Sequence, residues 1–205
     1  MSAASTVKPG RKIEQAIDGA RQIFLRDGYE GASMEEVSRA AQVSKATLYS
    51  YFSDKRHLFM EVAKRECQRQ ADMAIARMAM DGPVAEVMFE AASTMVRFFI
   101  SDLGRETYRI AVAESARFPE LGREFYESGP TIARLALTRY LENRIAVGEL
   151  NIDDVELAAD QFIELCKASI HTKMMMGIKT HFSDDEIDRV IRGAVEMFIA
   201  RYGAP

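Results

Sequence analysis

The chain has 205 residues, 27 Lys and Arg against 31 Asp and Glu, and a formal net charge of -4. With 48% hydrophobic and 28% charged residues, it reads as a soluble globular protein and not as a mainly disordered one. The acidic average excludes a protein that coats nucleic acid over its whole surface. No apolar run reaches the ~18 residues of a membrane span, and the polar start lacks the apolar stretch of a signal peptide. Two cysteines, Cys67 and Cys166, are too few for a disulfide framework, so a reducing cytoplasm is expected. The charge is unevenly spread: residues 1–70 carry 12 Lys/Arg against 9 Asp/Glu, and residues 71–205 carry 15 against 22. A basic excess confined to one segment hints at a nucleic-acid contact there.

In chain order, apolar residues at Ile13, Ala16, Ile17, Ala20, Ile23 and Phe24 form a 3.6-residue stripe that predicts a helix over 11–26, with Gly28 as its stop. Ser33 and Glu36 spell a capping box opening a short second helix that ends near Ala41. Ser44 can cap a third helix over about 45–51. Ser53 or Asp54 can cap a fourth, which runs to near Met80 and is long enough to bridge two domains. Asp81 and Gly82 break the chain, and Pro83 suits a first helical position. Further helices are predicted over 84–101, 106–116 and 119–127, and from Pro130 to a stop at Gly148. One continuous helix follows over 155–176, stopping at Gly177. Ser183 and Glu186 form a second capping box, for a last helix running to Arg201. Sustained period-two alternation is absent, so the fold class is all-α.

The two short helices between Ser33 and Tyr51 have helix-turn-helix dimensions. Val37, Ala40, Ala41, Val43 and Leu48 can form their shared core. The remaining surface of the second helix mixes a cation, hydroxyls, a methyl and aromatics, groups that bond phosphate oxygens and touch base edges. An ordinary solvated helical hairpin is the alternative at this level. Gly28-Tyr29, Ser33, Val37, Ala40-Ala41, Val43-Ser44, Thr47-Leu48-Tyr49, Tyr51-Phe52, Lys55 and Leu58-Phe59 together closely resemble the DNA-binding segment of the TetR/AcrR family of transcriptional regulators. The resemblance implies that the third helix reads DNA, with Lys45, Ala46, Thr47 and Ser50 facing bases and Ser33, Tyr49, Tyr51 and Lys55 holding phosphates. Gln42 departs from the glycine frequent in that turn, so a left-handed backbone there is more costly.

Residues 112–121, Phe125-Tyr126, Gly129-Pro130, 148–150 and the run from Asp153 to Phe162 are similar to the AefR-like C-terminal domain within that family. The implied organisation is an arm over 1–10, a three-helix helix-turn-helix domain over 11–54, and a larger helical ligand-binding and dimerisation domain over 55–205, with 55–80 as the bridging helix. The helices over 155–176 and 184–201 are apolar over more than one stripe. A broad apolar face suggests a second burial partner or a central core position, and the resemblance implies a homodimer through these two helices on a roughly palindromic operator. A small, largely apolar effector is expected among helices between Ala71 and Met176. Its candidate contacts are Met88, Met95, Phe98, Phe99, Glu114, Phe118, Tyr126, His171 and Met174, with Arg97 a further one. Helical methionine stripes more commonly fill cores. His57, His171 and His181 lack metal-ligand spacing, and no nucleotide-binding or nucleophile-elbow pattern occurs. No enzyme activity and no cofactor are therefore expected. The competing reading is a helical ligand-binding or protein-interaction module that no longer reads DNA.

Overall fold

The structure, a computed structural model, describes residues 9–78 and 82–204. Among them are eleven helices and no strand, the one extended pairing being an antiparallel bridge between Leu150 and Gly203. The chain divides into two units between Arg65 and Glu66. That point lies inside α4 (Lys55–Met78) and beyond its first residue, because Leu58, Phe59 and Val62 are buried in the core of the first unit. The expected end of this helix near Met80, and most of the N-terminal arm, lie outside the described residues.

The first unit holds α1 (Pro9–Gly31), α2 (Met34–Ala40), α3 (Lys45–Tyr51) and the opening of α4. Helix α1 takes in the last two residues of the expected arm. Its stripe of Ala16, Ile17, Ala20, Ile23 and Phe24 is buried, as the periodicity requires. Gly28 leaves the helical region at φ 71° and ψ 179°, and one further turn follows it. Phe24, Tyr29 and Phe59 meet edge-on at centroid distances of 4.9 and 5.0 Å, which ties α1 to α4 with favourable aromatic geometry. The capping box of Ser33 and Glu36 is formed. Asp54, not Ser53, caps α4, accepting the backbone N–H of His57 at 2.9 Å.

The turn between α2 and α3 depends on Gln42, whose φ is 54°. Its N–H donates to Arg39 O at 3.2 Å and the next, of Val43, to Ser38 O at 3.1 Å. These two bonds close the helix in a Schellman motif. A residue with a Cβ in this left-handed position costs about 1 kcal/mol relative to glycine. That cost is borne by the motif that sets the angle between the two short helices.

The second unit adds α5 (Val84–Ile100), α6 (Asp102–Ser115), α7 (Pro119–Ser128), α8 (Pro130–Ala146), α9 (Val155–Leu165), α10 (His171–Met175) and α11 (Asp184–Tyr202). Helix α11 packs on α5 and α9, and α8 on α9 and α7. Their core includes Met88, Val96, Leu141, Phe162, Ile191 and Phe198.

Three expectations are corrected. Pro83 is the N-cap of α5, one place before its first helical residue. Helix α6 starts at Asp102, four residues early, because Ser101 closes α5 and also caps α6, its Oγ accepting from Gly104 N at 3.1 Å. The helix expected over 155–176 is broken between Leu165 and His171, where Ser169 has a φ of 63° and Lys167 N and Ala168 N bond three residues back. Tertiary packing holds the break: Cys166 and Ile170 are buried on either side of it. His171 lies 5.0 Å from the Phe99 ring and 5.1 Å from that of Tyr108.

Candidate nucleic-acid interface and ligand cavity

Helix α3 is built to be held from one side. Ser44 caps it, its Oγ accepting from Thr47 N at 3.0 Å, and Leu48 is fully buried, so the other face is fixed outward. Lys45, Ala46, Tyr49 and Ser50 are exposed, and Thr47 and Tyr51 are half-buried. Tyr49 keeps 51% of its surface open, a large aromatic presence on a seven-residue helix. The Thr47 hydroxyl is 2.8 Å from that of Ser44. Ser50 Oγ donates to Thr47 O at 2.7 Å, leaving its oxygen free to accept a further donor. Lys45 Nζ is 3.0 Å from Glu35 Oε1. Both side chains are more than half exposed, so water screens the pair and Lys45 stays available to a phosphate.

Two of the expected phosphate contacts have another task. The Ser33 hydroxyl donates to Glu36 Oε2 at 2.7 Å and accepts Glu36 N at 3.2 Å, so its hydrogen is committed to the cap. Lys55 Nζ donates to Tyr29 O at 2.7 Å and Ala32 O at 3.1 Å, with Glu30 O at 3.4 Å. It also sits 4.5 Å from the Tyr29 ring centroid, in cation–π range. These carbonyls belong to the last turn of α1 and to Ala32 just after it, so Lys55 fastens α4 to the end of α1. Lys55→Ala is expected to lower the stability of the first unit by about 2 kcal/mol, the scale of charge-assisted hydrogen bonds. The check is denaturant unfolding followed by circular dichroism. With the ammonium engaged in this way, operator affinity is expected to fall with an unchanged salt slope.

In the second unit a cavity of about 460 Å³ lies between helices. Five expected contacts line it: Met88, Met95, Phe98, Phe99 and Tyr126. Four do not. His171 meets the Phe99 ring at a tilt and the Tyr108 ring edge-on without joining the lining, and burial lowers its pKa. Met174 is core. Phe118 is the N-cap of α7 under the Arg117 guanidinium, and Glu114 accepts the Phe118 N–H through its backbone carbonyl. Arg97 pairs instead with Asp184 at 2.5 Å and Asp188 at 3.5 Å.

The sequence reading missed Cys67, Thr107, Tyr108, Phe125, Tyr140 and Lys167, which also border the cavity. A usable signal existed in the small pairs Ala71/Ala74, Ala91/Ala92 and Ala133/Ala136. All six line it, and side chains that short on α4, α5 and α8 leave room for the cavity. Burial pushes the Cys67 thiol up to about 11 and Cys166 to about 12, so both are protonated at neutral pH and poorly nucleophilic. Among the described residues no group of His, Cys, Asp and Glu is arranged to hold a metal. No helix there is long and apolar enough to cross a membrane.

Comparison with known proteins places this geometry. The family described as bacterial regulatory proteins, tetR family, matches residues 16–62. The AefR-like transcriptional repressor C-terminal domain matches residues 86–204. The HTH-type transcriptional repressor AcnR of Corynebacterium glutamicum is 22% identical over 93% of this chain and 96% of its own. A solved TetR-family transcriptional regulator from Mesorhizobium loti is 25% identical at a TM-score of 0.84, covering 97% of this chain and 100% of that one. The flavonoid-responsive regulator FrrA is 32% identical at a TM-score of 0.66, covering 95% of this chain and 98% of its own. TetR-family regulators are non-enzymatic proteins that bind DNA operators, dimerise and bind ligands. The chain belongs to the TetR family of DNA-binding transcriptional regulators, with a C-terminal domain of the AefR-like type.

Proposed function

We propose that this regulator is a homodimeric repressor that reads a roughly palindromic operator with α3 of each copy. A small, largely apolar ligand filling the cavity of the second unit then releases it. The observation that carries the DNA reading is the α3 surface, where Leu48 anchors one side while Lys45, Ala46, Tyr49 and Ser50 stand open on the other. Thr47 and Tyr51 complete the set of contacts; Ser33 and Lys55 support it from within. Two such helices related by a two-fold axis would meet major grooves about one helical turn apart, ~34–36 Å. A chain that works on operator DNA works in the cytoplasm.

For the dimer, much of the apolar breadth of α9 and α11 is used inside the unit, with Phe162 and Phe198 meeting edge-on at 5.4 Å. What remains outward is Leu157, 51% exposed, and Met197, 61% exposed. Gly193 adds open space where its Cβ would be, and Ala200 is exposed one turn after Met197. Small residues flanked by two large apolar ones suit the close approach of a second helix pair.

Release requires the ligand to bind the released state more tightly than the operator-competent one. Helix α4 offers the route: Lys55, at its start, is pinned to the end of α1, and Cys67, Ala71 and Ala74 line the cavity further along the same helix. The test is selection of bound DNA from a genomic pool with the purified full-length protein. A two-fold-symmetric site is expected. Recovery without sequence preference would instead favour a module that no longer reads DNA.

A further inference from the structure

We propose that the cavity takes an uncharged, predominantly aromatic ligand that presents a hydrogen-bond acceptor to the Tyr140 hydroxyl, and that it discriminates against carboxylates. The inference rests on the reading of this cavity as the effector site, and it adds the chemical class of the effector.

The polar group comes first. Tyr140 borders the cavity from α8, is 5% exposed, and its hydroxyl has no hydrogen-bond partner among the described residues. A buried hydroxyl without a partner is costly, and a ligand acceptor would remove that cost. Burial raises the Tyr140 pKa, so the O–H is retained as a donor at neutral pH. The Thr107 hydroxyl, also on the lining, is already used: it donates to Leu103 O at 2.7 Å.

Charge comes second. Asp160, Glu164 and Lys167 are the charged residues on the lining. Lys167 Nζ lies 2.5 Å from Glu164 Oε1, and Asp160 lies 3.9 Å from Arg134 Nε. The set is net negative, so an entering carboxylate would lose its own hydration with no surplus cation to meet it, while Asp160 and Glu164 keep 54% and 71% of their side chains in water. An uncharged ligand disturbs neither pair.

Shape comes third. Phe99, Tyr108 and Phe125 form a chain of edge-on rings at 6.1 and 5.9 Å. All three line the space, offering faces and edges that rigid rings complement. The three alanine pairs supply low walls against which a flat molecule can lie. A flexible acyl chain in the same space would lose rotational freedom at each bond, which a fused ring system has already given up. The volume is that of a typical small-molecule site.

The test uses the full-length protein and calorimetric titration with four probes: 9-fluorenone, fluorene, fluorene-2-carboxylate and hexadecanoate. Fluorenone is expected to bind at least about tenfold more tightly than the carboxylate of the same ring system and than hexadecanoate. Tyr140→Phe should weaken fluorenone about three- to tenfold, the worth of one neutral hydrogen bond. It should leave fluorene, which has no acceptor, within about twofold. Equal or tighter binding of either anion would overturn the proposal, as would equal loss of fluorene and fluorenone in Tyr140→Phe, or no binding by any probe. Operator affinity measured in the same samples separates the two readings. Fluorenone that binds as expected yet leaves operator affinity unchanged supports the ligand class and sinks the release mechanism.

Discussion

Gly19→Leu is expected to destabilise the DNA-reading unit by about 3 kcal/mol, the upper part of the usual range for overpacking, and to abolish operator binding under conditions where the parent binds. Gly19 lies within α1, and a Cβ placed on it would stand 2.6 Å from the backbone N of Ala41 and 2.7 Å from its Cα and Cβ. Those atoms belong to the end of α2, so they cannot move without tilting that helix and the turn that follows it. Gly19→Ala separates two effects of opposite sign. Helix propensity alone would stabilise the unit by about 1 kcal/mol, whereas the contact with Ala41 costs about 1–3 kcal/mol. A net loss is expected, measured by urea unfolding monitored by circular dichroism. Any gain in stability for Gly19→Ala would show that α1 and α2 are not packed as described.

Ala46→Glu is expected to have the opposite profile. Ala46 is exposed on α3, away from the buried Leu48, so the exchange should change unfolding stability by less than about 0.5 kcal/mol. A carboxylate on the DNA-facing surface would nevertheless oppose phosphates and electronegative base edges. Like-charge juxtaposition of this kind costs about 3 kcal/mol, or about a hundredfold in affinity. Gel-shift titration against the selected operator, beside an unfolding curve on the same preparation, checks both halves. Full affinity in a well-folded Ala46→Glu protein would remove α3 from the interface.

The two variants mark where sequence was and was not informative. Signals that act over three or four residues were legible: the capping boxes at Ser33 and Ser183, the stop at Gly28, the outward side of α3. The cost of Gln42 in a left-handed turn was legible too, because backbone sterics are local. Ser101 hid the start of α6 by serving two helices at once, with no glycine or proline between them. The break after Leu165 carries no local mark, since Lys167 and Ala168 favour helix and it is the burial of Cys166 and Ile170 that wins. Gly19 gave no sign of its role, because its partner is Ala41, on another helix.

The cavity was harder still. Met88, Met95, Phe98 and Phe99 lie along α5 and could be taken as one stripe. Tyr140, Lys167, Cys67 and Thr107 join them from four other places in the chain. His171 touches Phe99 and Tyr108 of the lining but is not itself part of it. Family resemblance supplied the domain; it could not say which hydroxyl in it would be left without a partner. Lys55 shows the same limit, since its family position suggested a phosphate while its ammonium holds three backbone carbonyls.

The claim on which the rest depends is that α3 reads sequence, and DNA selection repeated with Lys45→Gln and Thr47→Val tests it most directly. Each variant should recover operators altered at particular, symmetry-related positions, because a side chain touching a base edge contributes about 1–3 kcal/mol of discrimination there. Recovery of the parental site by both variants, with uniformly weaker binding, would contradict it and leave α3 as a backbone clamp.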